Sequence, residues 1–169
     1  MLLDVKRFAL RFAAAAFVMA AAIPVAHISD ARADDDEDEG RQPAVSNAKW
    51  KEECGACHFA YPPRFLSAES WRAVMSGLDK HFGSNAGLDA ASADEITAFL
   101  EKNASTKKHE ASAKPLLRIT ETRSFKSEHR EVASRVWKNP KVKSAANCGA
   151  CHTRAESGDF SEDNVKIPR

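Results

Sequence analysis

The chain has 169 residues, a formal net charge of +1 and 29% charged residues. Its charge is uneven, because residues 34–103 carry 7 basic and 14 acidic side chains, whereas residues 104–169 carry 14 and 8. No aromatic-basic motif accompanies the basic half, which argues against nucleic-acid binding, and no apolar stretch after residue 25 approaches membrane-spanning length.

The first 33 residues have the pattern of a secretory signal peptide. A basic segment at 6–11 precedes an apolar run at 12–25, and small residues flank Arg32. A membrane anchor is the alternative, but this run of 14 residues is shorter than the roughly 20 that span a bilayer. We therefore expect cleavage after Ala33 and a soluble, monomeric mature protein in the oxidising periplasm.

Composition divides the remaining chain into four segments. Residues 34–46 open with six consecutive acidic residues, and such a block predicts a solvated, disordered leader because like charges repel. Residues 47–103 and 115–169 each hold one copy of the letters CGACH, and the small polar residues at 104–114 predict a linker between them. A chain of this size fits one compact domain or two very small ones.

Three helices are predicted, and no period-2 pattern indicates a strand, so the expected class is all-α with many loops. The first helix begins at Ser67 and ends at Gly83, the second begins with a capping box at 92–95, and the third covers 125–137. Apolar positions at helical spacing support them: Trp71, Met75, Leu78 and Phe82; Ile96, Phe99 and Leu100; Phe125, His129, Val132 and Val136.

The pentapeptide CGACH occurs at 54–58 and again at 148–152. Zinc sites, redox dithiols and covalent haem attachment all use C-x-x-C. The two pairs are 91 positions apart, too far for a zinc ribbon, and the βαβ pattern of a thioredoxin fold is absent. A histidine following both pairs indicates haem attachment, because residues at i, i+3 and i+4 share one helix face.

The sequence therefore predicts two covalently bound c-type haems. Each takes two cysteines for the thioether bonds and one histidine for the iron: Cys54, Cys57 and His58 for haem 1, and Cys148, Cys151 and His152 for haem 2.

The second axial ligand decides whether an iron is open to small molecules or closed. Beyond the signal peptide the candidates are Met75, which lies on an apolar stripe, and three more histidines. His81 ends the first helix and is predicted for haem 1; His129 interrupts an apolar stripe, lies nearest to the second motif and is predicted for haem 2. His109 lies in the lysine-rich linker and is expected to be exposed. Replacement of a predicted ligand by Met75 or His109 stays open.

At these residues the chain resembles the bacterial dihaem cytochromes c. The resemblance is carried by WKEECGACHFAYPP at 50–63, SWRAVMSGLDKHFG at 70–83, LRITETRSFKSEHREV at 117–132 and SAANCGACHTRAESGDFSE at 144–162. It implies a first haem domain like class I cytochrome c, a smaller second haem domain, and bis-histidine iron in both. It also implies a small monohaem cytochrome c that can bind oxygen as the acceptor, with a membrane cytochrome b as a possible donor.

Two functions compete at this point. Two closed, low-potential bis-histidine haems would make an electron carrier, and basic residues such as Lys138, Lys141 and Lys143 would dock an acidic partner, unless they simply face solvent or pair with haem propionates. The alternative is a dihaem enzyme, such as a peroxidase, with one iron that can open. A zinc or metal-storage protein is a weaker third hypothesis.

Overall fold

The computed structural model describes residues 45–107 and 114–169. The five α-helices in these ranges are α1 (Ala48–Gly55), α2 (Ala68–Met75), α3 (Ala90–Lys102), α4 (Arg123–Glu128) and α5 (Ser134–Trp137). Short 3-10 turns occur between and after them. The predicted signal peptide, most of the acidic leader and His109 lie outside the described residues.

Helix α2 begins where the sequence predicted but ends earlier. The Ser67 hydroxyl accepts the N–H of Ser70 at 3.2 Å, which confirms the predicted N-cap. The predicted end at Gly83 is wrong, because α2 stops at Met75 and a separate 3-10 turn covers Leu78–Lys80. Phe82 is therefore not a core residue, and 49% of its surface is exposed.

Helix α3 begins one turn before the predicted capping box at 92–95. Its N-cap is Asp89, whose carboxylate accepts the N–H of Ser92 at 3.0 Å. Asp89 stands directly before the helix and offers a charged acceptor, so its carboxylate satisfies a free N–H of the first turn. The predicted apolar face is confirmed: Ile96 and Leu100 are buried and Phe99 packs beside them.

The predicted third helix is two short helices. Helix α4 starts at Thr122, whose hydroxyl accepts the N–H of Phe125 at 3.1 Å, and it ends at His129 as C-cap. After α4, the N–H of Arg130 donates to the carbonyl of Ser127, three residues earlier. Hydrogen bonds of this 3-10 type are common in the last turn of a helix. His129 thus lies at a helix end and not inside a continuous apolar stripe.

The main core is formed where α1, α2 and α3 meet. Its buried members are Trp50, Leu66, Trp71, Ile96 and Leu100, and Met75 packs against them. The Trp71 indole N–H donates to the Pro63 carbonyl at 2.6 Å, which satisfies the polar atom of this buried ring. Met75 therefore packs as a core side chain.

Hydrogen bonds tie the start of the predicted linker, and the segment that follows it, to residues at or just before α2. The N–H of Ser105 donates to the Leu66 carbonyl at 2.9 Å, and the N–H of Leu116 donates to the Ser70 hydroxyl at 3.0 Å. Both described ranges belong to one compact unit, and the division into haem domains at 47–103 and 115–169 stays a prediction.

The all-α class is confirmed for the part of the chain that the structure describes. Extended pairing there is limited to isolated bridges, Ser67 with Ser105, His81 with Ser84 and His152 with Val165. Within the same residues, no helix has both the length and the apolar character that crossing a bilayer requires.

Candidate functional site

The first CGACH motif straddles the end of α1. Asn47 caps this helix by accepting the N–H of Trp50 at 2.8 Å, and Cys54 lies in its last turn. Because α1 ends at Gly55, Cys57 and His58 follow in a turn. The expectation that both cysteines and the histidine share one helix face is wrong for this motif.

The second CGACH motif has a different local structure. Cys148–Ala150 form a 3-10 turn, and the N–H of His152 donates to the Cys148 carbonyl at 2.8 Å. The segment after it is pinned by Lys166, whose N–H donates to the Cys151 carbonyl at 2.8 Å. The two identical pentapeptides therefore adopt different backbone conformations, and their flanking segments make different contacts.

The histidines of the first half meet as a pair. His81 follows the 3-10 turn Leu78–Lys80, and the chain then turns through Phe82 (φ 49°) and Gly83 (φ 98°). This turn brings the rings of His58 and His81 to a centroid separation of 6.2 Å with an interplanar angle of 29°.

The histidines of the second half form another pair. The ring of His129 stacks on Phe125 at a centroid distance of 4.1 Å and lies 5.8 Å from Trp137. The ring of His152 lies 6.0 Å from that of His129, at an interplanar angle of 68°. Both pairs are the ones that the sequence predicted.

These separations can be compared with the size of a metal-bound imidazole pair. Metal–imidazole bonds of about 2.0–2.1 Å on opposite sides of one atom place the ring centroids about 6.3 Å apart. The observed 6.2 and 6.0 Å agree with that spacing. The ring spacing of each pair is therefore compatible with one iron atom held between the two imidazoles.

Two of the four imidazoles have their tautomer set by the backbone. His58 Nδ1 lies 2.8 Å from the Phe59 carbonyl oxygen, and His129 Nδ1 lies 2.9 Å from that of Phe125. A carbonyl can only accept, so Nδ1 carries the proton in each ring and Nε2 keeps its lone pair for a metal.

The other two imidazoles are kept neutral by their surroundings. Burial, with a smaller contribution from His58, lowers the pKa of His81. Burial and then His129 likewise lower the pKa of His152. Because only the neutral ring can bind a metal, these shifts favour coordination at neutral pH.

None of the four cysteines forms a disulfide. Burial is the main cause that raises the pKa of Cys54 and of Cys148 to about 11, so both remain protonated at neutral pH. A protonated thiol is slow to form a disulfide.

Residues 114–169 have little core of their own. Their buried side chains are Thr122, Val142 and Ala155. A segment of this size needs further apolar surface for a stable fold, and a porphyrin held beside His129 and His152 would supply it. The arrangement therefore fits a haem on this side as well.

Sequence reasoning missed the aromatic residues that surround the imidazoles. Phe59 and Tyr61 follow the first motif, Phe160 follows the second, and all three rings contact one another or a histidine. The sequence does show a phenylalanine within eight residues after each motif. Only the fold shows which of these rings meet.

Comparison with known proteins agrees with this geometry. The dihaem cytochrome c family matches residues 50–160. A dihaem cytochrome c from Rhodobacter sphaeroides is 40% identical, with a TM-score of 0.64 over 69% of this chain and 98% of its own. A dihaem cytochrome c from Shewanella baltica OS155 is 41% identical, with a TM-score of 0.63 over 72% and 93%. No curated protein sequence matches the chain significantly.

The match extends beyond the two pentapeptides, because it includes the segments that carry His81 and His129. Homologues of this kind carry electrons on two covalently attached c-type haems. The chain belongs to the dihaem cytochrome c family.

Proposed function

We propose that this protein relays electrons through two bis-histidine haems, with His58 and His81 as the axial pair of haem 1 and His129 and His152 as that of haem 2. Cys54 and Cys57 would hold the first porphyrin and Cys148 and Cys151 the second. The observation that carries the proposal is the ring-centroid spacing of 6.2 and 6.0 Å in the two pairs.

The role of the protein in this mechanism is to hold the axial imidazoles in position before and after electron transfer. A bound haem supplies one-electron chemistry at its iron. The backbone carbonyls of Phe59 and Phe125 hold Nδ1 protons, so His58 and His129 present Nε2 in both redox states. With imidazole on both faces and Met75 packed in the core, the reduction potentials should be low, since methionine ligation raises them.

The alternative function, a dihaem enzyme of the peroxidase type, requires one iron that can open. We expect both irons to be closed. Adding carbon monoxide to the fully reduced protein should therefore leave its visible spectrum unchanged at both haems. A shifted absorption band from one haem would contradict the bis-histidine proposal and favour catalysis or gas binding.

The proposed acceptor is a small monohaem cytochrome c with an acidic surface, and a membrane cytochrome b is a possible donor. Lys138, Lys141 and Lys143 are exposed and follow Trp137, whose ring lies 5.8 Å from His129. These lysines would form a basic surface near haem 2 that attracts an acidic partner. The secretory pattern at 1–33 and the family's usual secretion support a periplasmic location.

This docking proposal predicts a salt-dependent rate. Reduction of an acidic monohaem cytochrome c should slow by tenfold or more as ionic strength rises, because the Debye length falls to about 10 Å at 0.1 M. The charge-reversal variant K138E/K143E should lose most of this dependence. The matched control K51E/K102E, which changes the net charge equally at exposed lysines elsewhere, should keep it. A flat salt response in the unchanged protein would contradict the proposal.

A further inference from the structure

A continuous series of aromatic rings joins the first imidazole pair to the second. His58 lies 4.8 Å from Tyr61, and Tyr61 lies 4.5 Å from Phe59. Phe59 lies 6.3 Å from Phe160, and Phe160 lies 5.2 Å from His152. Each separation is within the range over which aromatic rings interact. We call Phe59, Tyr61 and Phe160 the aromatic bridge.

The two sides of the aromatic bridge are tied together by polar contacts. The Tyr61 hydroxyl donates to the Ala146 carbonyl at 2.8 Å, just before the second motif. The Arg64 guanidinium donates to the Gly158 carbonyl at 2.9 Å and lies over the Phe160 ring, 5.7 Å from its centroid. The segment after the first motif is therefore fastened on both sides of the second.

Phe160 is the only bridge member from the second half of the chain, and its loop is well fixed. The Asp159 carboxylate accepts both the N–H and the hydroxyl of Ser161, at 3.1 and 2.6 Å. The Asn164 amide donates to Asp159 at 3.0 Å, and the Asn164 carbonyl accepts the N–H of Thr153 at 3.0 Å. These bonds connect the loop to the residue that follows His152.

His152 depends on this packing more than His58 and His129 do. Among the described residues, none forms a hydrogen bond with its buried Nδ1. His58 and His129, in contrast, each hold a backbone carbonyl at this atom. The orientation of the His152 ring must therefore come from the rings beside it, of which Phe160 is the closest at 5.2 Å.

From these contacts we infer that Phe160 is the positioning residue that couples the two haem sites. It orients the His152 ring and completes the aromatic contact between the two axial pairs. The exchange moves one electron from the reduced site to the oxidised site, and no bond or proton changes place. This inference rests on the bis-histidine function proposed above.

The test compares leucine and tyrosine at position 160. In half-reduced protein, proton NMR exchange spectroscopy of the haem methyl groups measures the rate at which the electron moves between sites. F160L should slow this exchange about tenfold or more, because small displacements of reacting groups have large rate effects. It should also alter the haem 2 methyl shifts, which report the orientation of the axial imidazoles, and leave those of haem 1 unchanged. F160Y keeps the ring and should behave as the unchanged protein.

Phe65 provides a matched control. Its ring contacts Phe160 at 4.9 Å and, among the described residues, is paired with no imidazole ring, so F65L removes a ring of the same size from outside the bridge. If F65L slows exchange as much as F160L, or if F160L leaves the exchange rate and methyl shifts unchanged, the inference is overturned. Should F160L fail to fold, Y61L compared with Y61F tests the other end of the bridge, with the same slowing expected only for Y61L.

The failure of this inference can be told apart from that of the proposed function. A high-spin ferric spectrum or carbon monoxide binding in the unchanged protein would refute the bis-histidine proposal itself. Low-spin, closed haems in the unchanged protein, together with normal exchange in F160L, would refute only the role of Phe160.

Discussion

Replacing His81 by alanine should convert one of the two haems from six-coordinate low-spin to high-spin, and replacing His129 should do the same to the other. Each substitution removes one imidazole from a pair whose rings are 6.2 or 6.0 Å apart, and a methyl group cannot span that gap to an iron. About half of the haem absorbance should change in each variant, because each chain carries two haems. The reduced variants should also bind carbon monoxide at that single haem.

Two control variants make this result specific. H109A should leave both haems low-spin, and so should M75L, which keeps the volume of a side chain that packs against the core. The assignment of His81 or His129 would be wrong if its alanine variant kept an unchanged low-spin spectrum. Loss of the low-spin signal in H109A or M75L would identify the ligand that acts in its place.

Replacing both cysteines of the second motif, as C148A/C151A, should leave one covalently attached haem per chain. Without thioether bonds the second porphyrin would be held by its axial histidines and apolar contacts alone. Extraction with acidified acetone should therefore release that haem and leave the other on the protein. The haem that stays should keep a low-spin spectrum, because His58 and His81 belong to the other pair.

The reciprocal variant C54A/C57A is the matched control for this prediction. It should retain the haem that C148A/C151A loses, and a pyridine haemochrome assay should again give half of the original covalent haem. C148A/C151A is also expected to be the less stable of the two, since residues 114–169 bury few side chains of their own. Two acid-resistant haems in either variant would contradict the cysteine assignments.

The local order of the chain was only partly predictable from its sequence. The caps show why: Ser67 begins α2 as predicted, but Asp89 begins α3 in place of Ser92. Aspartate and serine are both good N-cap residues, so capping preferences do not decide between Asp89 and Ser92, which are three positions apart. The same limit explains why the stripe through His129 predicted one helix where the structure has two.

The sequence predicts covalent haem attachment, but it does not predict how the rings around the haem sites are arranged. Two CGACH pentapeptides predict covalent haem because thioether bonds and an axial ligand require those residue types at that spacing, whatever the surrounding fold. The scarcity of methionine and histidine after the predicted signal peptide then restricted the candidates for the remaining axial ligands to a few residues. The sequence predicted the pairs His58 with His81 and His129 with His152, but only the tertiary structure decided the interplanar angles of 29° and 68°. It also placed Phe160 between the two sites, because contacts between residues about 100 positions apart depend on how the whole chain packs and leave no local pattern.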